Sequence, residues 1–218
     1  MTKFYFDKDA AEKSISFIET FCTHTKGELS GKKLKLEDWQ KKIVGDIFGW
    51  KNKETELRKY RTVFILLGRK NGKSTLCAAI GLYMLFADEE RGSEVYSAAG
   101  DRAQAGIVFE IAKGMILQSP ELSKRGNVFR NSIVNDSKGN FYQAISSDSK
   151  TKHGFNANCI IFDELHTQPN RDLWDTLVTS TGSRRQPLTI AITTAGYDKQ
   201  SICYEIYSYA KKVADKVK

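Results

Sequence analysis

A short turn at residues 67–74 carries groups that suit phosphate binding, in the order Leu-Gly-Arg-Lys-Asn-Gly-Lys-Ser. It lies between a predicted strand and a predicted helix, the setting of a P-loop, in which backbone N–H groups and a helix N-terminus bind phosphate oxygens. Lys73 would then reach the β- and γ-phosphates, and the Ser74 hydroxyl would bind Mg²⁺. The match to G-x-x-x-x-G-K-[ST] is incomplete, because Leu67 occupies the first glycine position and Gly68 comes one residue late. Alone, the turn also fits a lysine-bearing loop after a buried strand.

Two adjacent carboxylates, Asp163 and Glu164, end a second apolar strand. The carboxyl ends of parallel strands meet at the sheet edge where ligands bind. We therefore expect Asp163 to hold Mg²⁺ and Glu164 to orient or deprotonate the water that attacks the γ-phosphate. An acidic pair is also common at a helix N-terminus. The pair and the P-loop together predict nucleotide hydrolysis.

Arginine and threonine side chains supplement this pattern. Arg69, inside the turn, is predicted to reach a γ-phosphate oxygen, with a salt bridge to a nearby acid as the alternative. Thr193 and Thr194 end another predicted strand, so their hydroxyls would face the same crevice and sense the γ-phosphate. Capping of the next turn explains these threonines equally well.

Ring-forming ATPases use an arginine from a neighbouring subunit to stabilise charge on the transferred phosphate. Three residues are candidates for this role: Arg102, Arg125 and Arg130. The last two lie on a predicted flanking hairpin, from which they would project best, although each is also explained as a solvated surface arginine. His166 shares no metal-ligand spacing with another histidine and is interpreted as a polar group of a loop.

The surrounding elements alternate between strand and helix. Apolar runs predict strands at residues 62–67, 94–99, 159–162 and 188–193, and helical periodicity covers residues 7–24, 36–48, 74–86 and 101–117. Residues 127–134 and 140–145 predict a hairpin around a turn at 137–139. The prediction is an α/β P-loop NTPase fold of the ASCE, RecA-like type, with a mainly parallel sheet, helices on both faces and a flanking β-hairpin.

The composition sets broader bounds. A chain of 218 residues with 40% hydrophobic and 28% charged residues fits one soluble domain. A net charge of +8 favours a polyanion such as nucleic acid, or simply a basic surface. The four cysteines form no C-x-x-C pair, and no signal peptide or membrane-length apolar run is present, which predicts a soluble protein without membrane association.

These motifs in combination resemble the HK97-type phage terminase large subunits. The resemblance spans nearly the whole chain and includes the late glycine of the P-loop. Residues 17–28 look like the family's N-terminal helix. The other matching segments are residues 36–40 (Leu-Glu-Asp-Trp-Gln), 68–74, 160–166 (Ile-Ile-Phe-Asp-Glu-Leu-His) and 192–196 (Ile-Thr-Thr-Ala-Gly).

The resemblance implies an ATP- and Mg²⁺-dependent motor that translocates double-stranded DNA in the host cytoplasm. The implied partners are a portal protein, a terminase small subunit and further copies in a ring on the procapsid, with the isolated domain weakly associating or monomeric. The implied nucleotide-binding residues are Trp39 and Gln40 near the adenine, and Gly68, Arg69, Lys70, Asn71, Gly72, Lys73, Ser74 and Thr75.

The resemblance also implies a division of the chain. Residues 1–60 would form an N-terminal helical segment packed on the core, residues 61–200 the P-loop ATPase core, and residues 201–218 a C-terminal helix or linker towards a nuclease domain. The family's nuclease domain would be absent, so we expect no DNA cleavage from this chain.

Two alternatives remain at this point. A fragment of a superfamily 2 helicase fits the D-E-x-H pattern of residues 163–166, but it needs a second RecA-like domain and a Q-x-x-G-R-x-x-R segment that the sequence lacks. A non-hydrolysing DNA- or portal-binding module fits the altered first glycine. Glu164 argues against that module, because a protein that does not hydrolyse ATP needs no water-activating carboxylate beside its magnesium aspartate.

Overall fold

The structure is a computed structural model that describes residues 2–147, 154–194, 196 and 198–216. Its helices are α1 (Lys8–Phe21), α2 (Asp38–Gly49), α3 (Lys73–Phe86), α4 (Arg102–Leu117), α5 (Pro120–Ser123), α6 (Asp172–Thr179) and α7 (Ile202–Ala214). Its strands are β1 (Phe4–Phe6), β2 (Trp50–Asn52), β3 (Thr62–Leu66), β4 (Glu94–Ala99), β5 (Asn127–Val128), β6 (Ser132–Asn135), β7 (Asn140–Ser146), β8 (Ala157–Asp163) and β9 (Leu188–Thr193). Short 3₁₀ turns occupy Leu165–Thr167 and Ser180–Ser183.

Seven of the described strands form one sheet in the order β3-β9-β8-β4-β7-β6-β5. The strands from β3 to β7 in this order pair in parallel, whereas β6 and β5 pair antiparallel. β8 and β9 are buried along their whole length, which explains their continuous apolar runs. The predicted mainly parallel sheet is confirmed, and β9 separates the P-loop strand β3 from the acidic strand β8.

Helices cover both faces of this sheet, as predicted. On one face, α3 and α4 pack with α1 and α2 in one apolar cluster, and α6 and α7 contribute to a second cluster on the other face. α3 is apolar on nearly all sides because it lies between the sheet and the N-terminal helices. The Tyr83 ring of α3 contacts Phe17 of α1 at 5.4 Å and Phe48 of α2 at 4.5 Å between ring centroids.

The flanking hairpin differs in one detail from its prediction. β6 and β7 form a hairpin around residues 136–139, but the predicted single arm at 127–134 is wrong. That segment turns back on itself as β5 and β6, with the Phe129 N–H donating to the Ser132 carbonyl at 2.8 Å. The polar Arg130-Asn131 pair forms this turn, in which polar side chains can remain in water.

No pattern in the sequence predicted strands β1 and β2. They form a separate two-stranded antiparallel sheet in which Phe4 pairs with Asn52. Each strand is three residues long, too short to display a period. The four cysteines are buried and carry free thiols, and no helix in the described ranges is long and apolar enough to span a bilayer.

One close contact fixes the turn that follows β8. A Cβ atom at Gly100, just after β4, would lie 2.6 Å from the Thr167 carbonyl oxygen, so only glycine fits without a backbone shift. Gly106 inside α4 has open space at the same position. β4 and the 3₁₀ turn therefore approach each other at backbone distance.

We predict that Gly100→Ala lowers the free energy of unfolding by about 1–3 kcal/mol, because the turn at Leu165–Thr167 must move. The matched variant Gly106→Ala should leave stability unchanged or raise it by about 0.5–1 kcal/mol, because alanine is the better helix former. Urea unfolding followed by circular dichroism measures both. Equal midpoints for the two variants would contradict this packing constraint.

Candidate nucleotide-binding site

The loop between β3 and α3 adopts the tight conformation that a phosphate-binding turn requires. Lys70 and Gly72 are both left-handed, with φ of 65° and 71°. The Leu67 N–H still donates to the Thr193 carbonyl at 3.2 Å, so Leu67 extends the pairing of β3 with β9 and the turn begins only at Gly68. The late glycine of the motif therefore coincides with a late start of the turn.

The side chain of Lys73 is directed back over the loop. Its ammonium group donates to the carbonyl oxygens of Leu67 and Gly68 at 3.0 and 2.9 Å, and the residue is only 7% exposed. The Asn71 amide also donates to the Gly68 carbonyl, at 3.2 Å. The lysine is thus held within the turn by backbone carbonyls, and its predicted contact with the β- and γ-phosphates stays a prediction.

The two predicted magnesium ligands contact each other. The Ser74 hydroxyl at the start of α3 donates to Asp163 Oδ2 at the end of β8, at 3.4 Å. Asp163 is 2% exposed, and burial together with the charge of Glu164 raises its pKa to about 6, while the hydrogen bond from Ser74 and the charge of Lys73 oppose the shift. A hydroxyl beside a buried carboxylate supplies the hard oxygen ligands that Mg²⁺ prefers.

The predicted base and the predicted sensor also contact each other. Glu164 is left-handed, with φ of 48°, an uncommon conformation for a residue other than glycine. This conformation turns its side chain towards the end of β9, where Oε2 accepts from the Thr194 N–H at 3.3 Å and from the Thr194 hydroxyl at 3.4 Å. Strain at a residue of this kind is typical of functional sites.

His166 is more than the polar loop group predicted from the sequence. Its Nδ1 lies 2.9 Å from Thr193 Oγ1 and 3.3 Å from Glu164 Oε2. His166 is a polar group of a turn, as interpreted from the sequence, but the 3₁₀ turn at Leu165–Thr167 also brings its ring back onto the acidic pair, which the sequence did not predict. The D-E-x-H spacing was the one signal in the sequence that could have identified it.

Other predicted nucleotide contacts lie around the loop. Gln40 of α2 lies against it, with Nε2 3.6 Å from the position that a Cβ atom on Gly72 would take. Trp39, one residue earlier, is 37% exposed. Arg69 is exposed and, within the described ranges, forms no ion pair, so the alternative of a salt bridge to an acid is not found. Thr75 follows Ser74 in the first turn of α3.

The three arginine candidates fall in two places. Arg102, at the start of α4, and Arg130, in the turn between β5 and β6, line the same open cleft of about 610 Å³. Arg102 comes two residues after Gly100, and thus close to the turn that carries Glu164. Arg125 lies beside Gly126, which contacts the Phe86 ring at the end of α3 opposite the P-loop.

Comparison with known proteins identifies relatives of this arrangement. The family model described as terminase large subunit, ATPase domain, matches residues 38–212. The large terminase subunit of Enterobacteria phage HK97 is 30% identical over 188 residues, covering 84% of this chain and 36% of that protein. The large terminase subunit of Lactococcus phage SK1 is 25% identical over 211 residues, covering 92% of this chain and 38% of that protein.

A solved structure supports the same relationship. The crystal structure of the HK97 bacteriophage large terminase superimposes with a TM-score of 0.79 at 26% sequence identity, covering 95% of this chain and 42% of that one. The chain therefore spans well under half the length of these relatives.

We predict that Asp163→Asn stabilises the metal-free protein at neutral pH. The folded-state pKa of about 6 exceeds the ordinary value of 3.8, so ionisation of Asp163 costs stability as pH rises above about 4, and the full cost applies above about 6. Replacing the ionisable carboxyl by an amide should raise the free energy of unfolding at pH 8 by roughly 1–3 kcal/mol, or the Tm by several degrees. The gain at pH 4 should be much smaller. Thermal unfolding in EDTA at both pH values measures this.

Added Mg²⁺ with nucleotide supplies the control for this variant. Binding to the folded state should raise the Tm of the unsubstituted protein more than that of Asp163→Asn, because the variant lacks a carboxylate ligand. A gain in Tm that is equal at pH 4 and pH 8 would rule out the cost of burying a charge as its cause.

Proposed function

The chain belongs to the family of terminase large-subunit ATPase domains, and we propose that it hydrolyses ATP with Mg²⁺ to drive double-stranded DNA into a viral procapsid. One observation carries the proposal for hydrolysis. Ser74, Asp163, Glu164 and Thr194 meet beside the P-loop through direct contacts between three different segments of the chain. Phosphoryl transfer needs this set of side chains: a metal-binding hydroxyl, a metal-binding carboxylate, a base and a sensor.

Phosphate binding depends on the P-loop and the start of α3. Backbone N–H groups around Gly72 and the N-terminus of the 14-residue helix α3 attract phosphate oxygens. Lys73 exchanges its two carbonyl partners for β- and γ-phosphate oxygens, and exposed Arg69 extends to the γ-phosphate. Gln40 borders the loop on the α2 side, and we propose that it and its neighbour Trp39 contact the adenine.

Hydrolysis uses Glu164 as the base. Glu164 removes a proton from a water molecule while that oxygen forms a bond to the γ-phosphorus, and the bond from γ-phosphorus to the β,γ-bridging oxygen breaks with its electron pair left on ADP. Mg²⁺ held by Ser74 and Asp163 would neutralise the charge on the phosphate oxygens. Thr193 and Thr194 at the end of β9 would respond to the loss of the γ-phosphate, because they share the crevice with Glu164.

Partners follow from the family and from charge. The two phage relatives described above are large terminase subunits, and from them we extend to this chain the handling of double-stranded DNA, docking on a portal protein, a small-subunit partner and assembly into a ring. The net charge of +8 favours contact with the DNA backbone. An isolated domain would associate weakly, so an arginine from a neighbour would reach the site only at high protein concentration.

We predict that Glu164→Gln reduces steady-state phosphate release from ATP by about 100-fold or more while ATP still binds, because the amide keeps the shape of the side chain but cannot accept the proton of water. Lys73→Ala should instead weaken ATP binding by about tenfold or more, because a buried cation of the turn is lost. Malachite-green phosphate detection and fluorescent ATP binding separate the two effects.

Glu54→Gln, an exposed acid in the turn before β3, is the matched control and should behave like the unsubstituted protein. If the unsubstituted protein binds no ATP at any concentration tested, the P-loop assignment fails and the binding-module alternative replaces it. If ATP binds but Glu164→Gln turns over normally, another residue is the base.

The arginine candidates give a separate prediction. Phosphate release per protein should rise with protein concentration, and Arg102→Ala or Arg130→Ala should abolish that rise, because both arginines line one open cleft from which a charge could reach a neighbouring copy. Arg125→Ala should retain it, because Arg125 lies at the far end of α3. Mixing each variant with Glu164→Gln protein tests action across subunits, since activity is restored only if one copy completes the site of another. If only Arg125→Ala abolished the rise of phosphate release with protein concentration, Arg125 would be the arginine that acts across subunits.

A further inference from the structure

The carboxylate of Glu164 is held through one of its two oxygens. Oε2 receives the Thr194 N–H at 3.3 Å and the Thr194 hydroxyl at 3.4 Å, and His166 Nδ1 lies 3.3 Å from the same atom. From the residues that the structure describes, no hydrogen bond reaches Oε1. The carboxylate therefore has one anchored oxygen and one oxygen available for a reacting water.

The hydrogen-bond pattern specifies which ring nitrogen of His166 carries the proton. The Thr193 hydroxyl donates to the Thr194 carbonyl at 2.9 Å, so its oxygen acts as the acceptor towards His166 Nδ1, also at 2.9 Å. The Cys203 thiol, 3.8 Å away, is a second donor to the same oxygen. We therefore assign the hydrogen to Nδ1, which has the Thr193 hydroxyl oxygen and the Glu164 carboxylate as its acceptors.

The turn that carries His166 is closely packed on two sides. A Cβ atom on Gly196 would lie 3.0 Å from His166 Cβ, and one on Gly100 would lie 2.6 Å from the Thr167 carbonyl oxygen. Two chain segments thus contact the 3₁₀ turn that carries His166, at distances that leave no room for side chains. The side chains of Glu164 and His166 nevertheless remain 19% and 23% exposed, so both still border the crevice.

We propose that His166 is a positioning residue for ATP hydrolysis, which holds Glu164 Oε2 through Nδ1–H so that Oε1 is directed to the attacking water. This inference rests on the proposed function, because it assigns a role within the same site. A carboxylate with one oxygen fixed loses less orientational freedom on reaching the transition state than a freely rotating one. Thr193 in turn fixes the ring, as groups behind a catalytic residue commonly do.

Steady-state kinetics test the role. His166→Ala should lower kcat by about tenfold or more and leave KM for ATP within about twofold, because binding uses other residues. His166→Asn, whose amide N–H can take the place of Nδ1–H, should recover most of the lost kcat. In the Glu164→Gln background, His166→Ala should cause no further loss, because its effect passes through Glu164. His24→Ala, on the segment that pairs with Lys32, is the control and should match the unsubstituted protein.

Two kinetic outcomes would overturn the proposal. One is a kcat for His166→Ala within twofold of the unsubstituted value. The other is a loss that His166→Asn fails to recover at all, together with a lowered Tm in both variants, since that result indicates a role in folding only. Absence of ATP binding and turnover in the unsubstituted protein would refute the proposed function instead.

A second measurement decides the geometry even without activity. The sequence has three histidines, so ¹⁵N NMR spectra of the imidazoles can be assigned by difference with His166→Asn. At pH 8 we expect His166 to carry its hydrogen on Nδ1, whereas a free neutral imidazole in water prefers Nε2–H. A neutral His166 protonated on Nε2 alone would overturn the proposal, because its Nδ1 could not donate to Glu164.

Discussion

The site depends above all on the parallel pairing of β9 with a strand on each side. Leu66 of β3 pairs with Thr193, and Asp163 of β8 pairs with Ile192, so three strands end at one level. This register places Leu67, at the start of the P-loop, within hydrogen-bonding distance of Thr193, and Glu164 within hydrogen-bonding distance of Thr194. A slip of one residue in β9 would turn its side chains to opposite faces and move the threonines away from Glu164.

The same geometry buries the carboxylate of Asp163 away from water and beside a second acid. β8 is buried along its full length, so its last residue, Asp163, is almost fully removed from water with Glu164 beside it. The contact from Ser74 and the proximity of Lys73 compensate only part of that cost. The site for which we propose Mg²⁺ binding is therefore built at the expense of stability in the metal-free protein, a common compromise at functional sites.

The sequence predicted the parts of the site that are local, and missed those that depend on tertiary contacts. The apolar run at residues 159–162 followed by two acids identified the end of β8, and the glycine-lysine-serine run identified the start of α3. The contact between His166 and Thr193 joins residues 27 positions apart, and no period in the sequence encodes it. The approach of Gly100 to Thr167 is of the same kind, because the space that a glycine leaves is visible only once its neighbour is known.

The prediction of one continuous strand at residues 127–134 failed because a two-residue polar turn interrupts an otherwise strand-like pattern.

The self-bonded state of Lys73 has a kinetic meaning. Its ammonium group already has the Leu67 and Gly68 carbonyls as acceptors, so a phosphate that bound here would have to displace them. Nucleotide entry exchanges one set of hydrogen bonds for another, and departure of the product lets the loop recover its own. The binding free energy of the product nucleotide is reduced accordingly, which increases its dissociation rate. The cyclic motor that we propose would benefit from such a loop, because every cycle ends with release of its product.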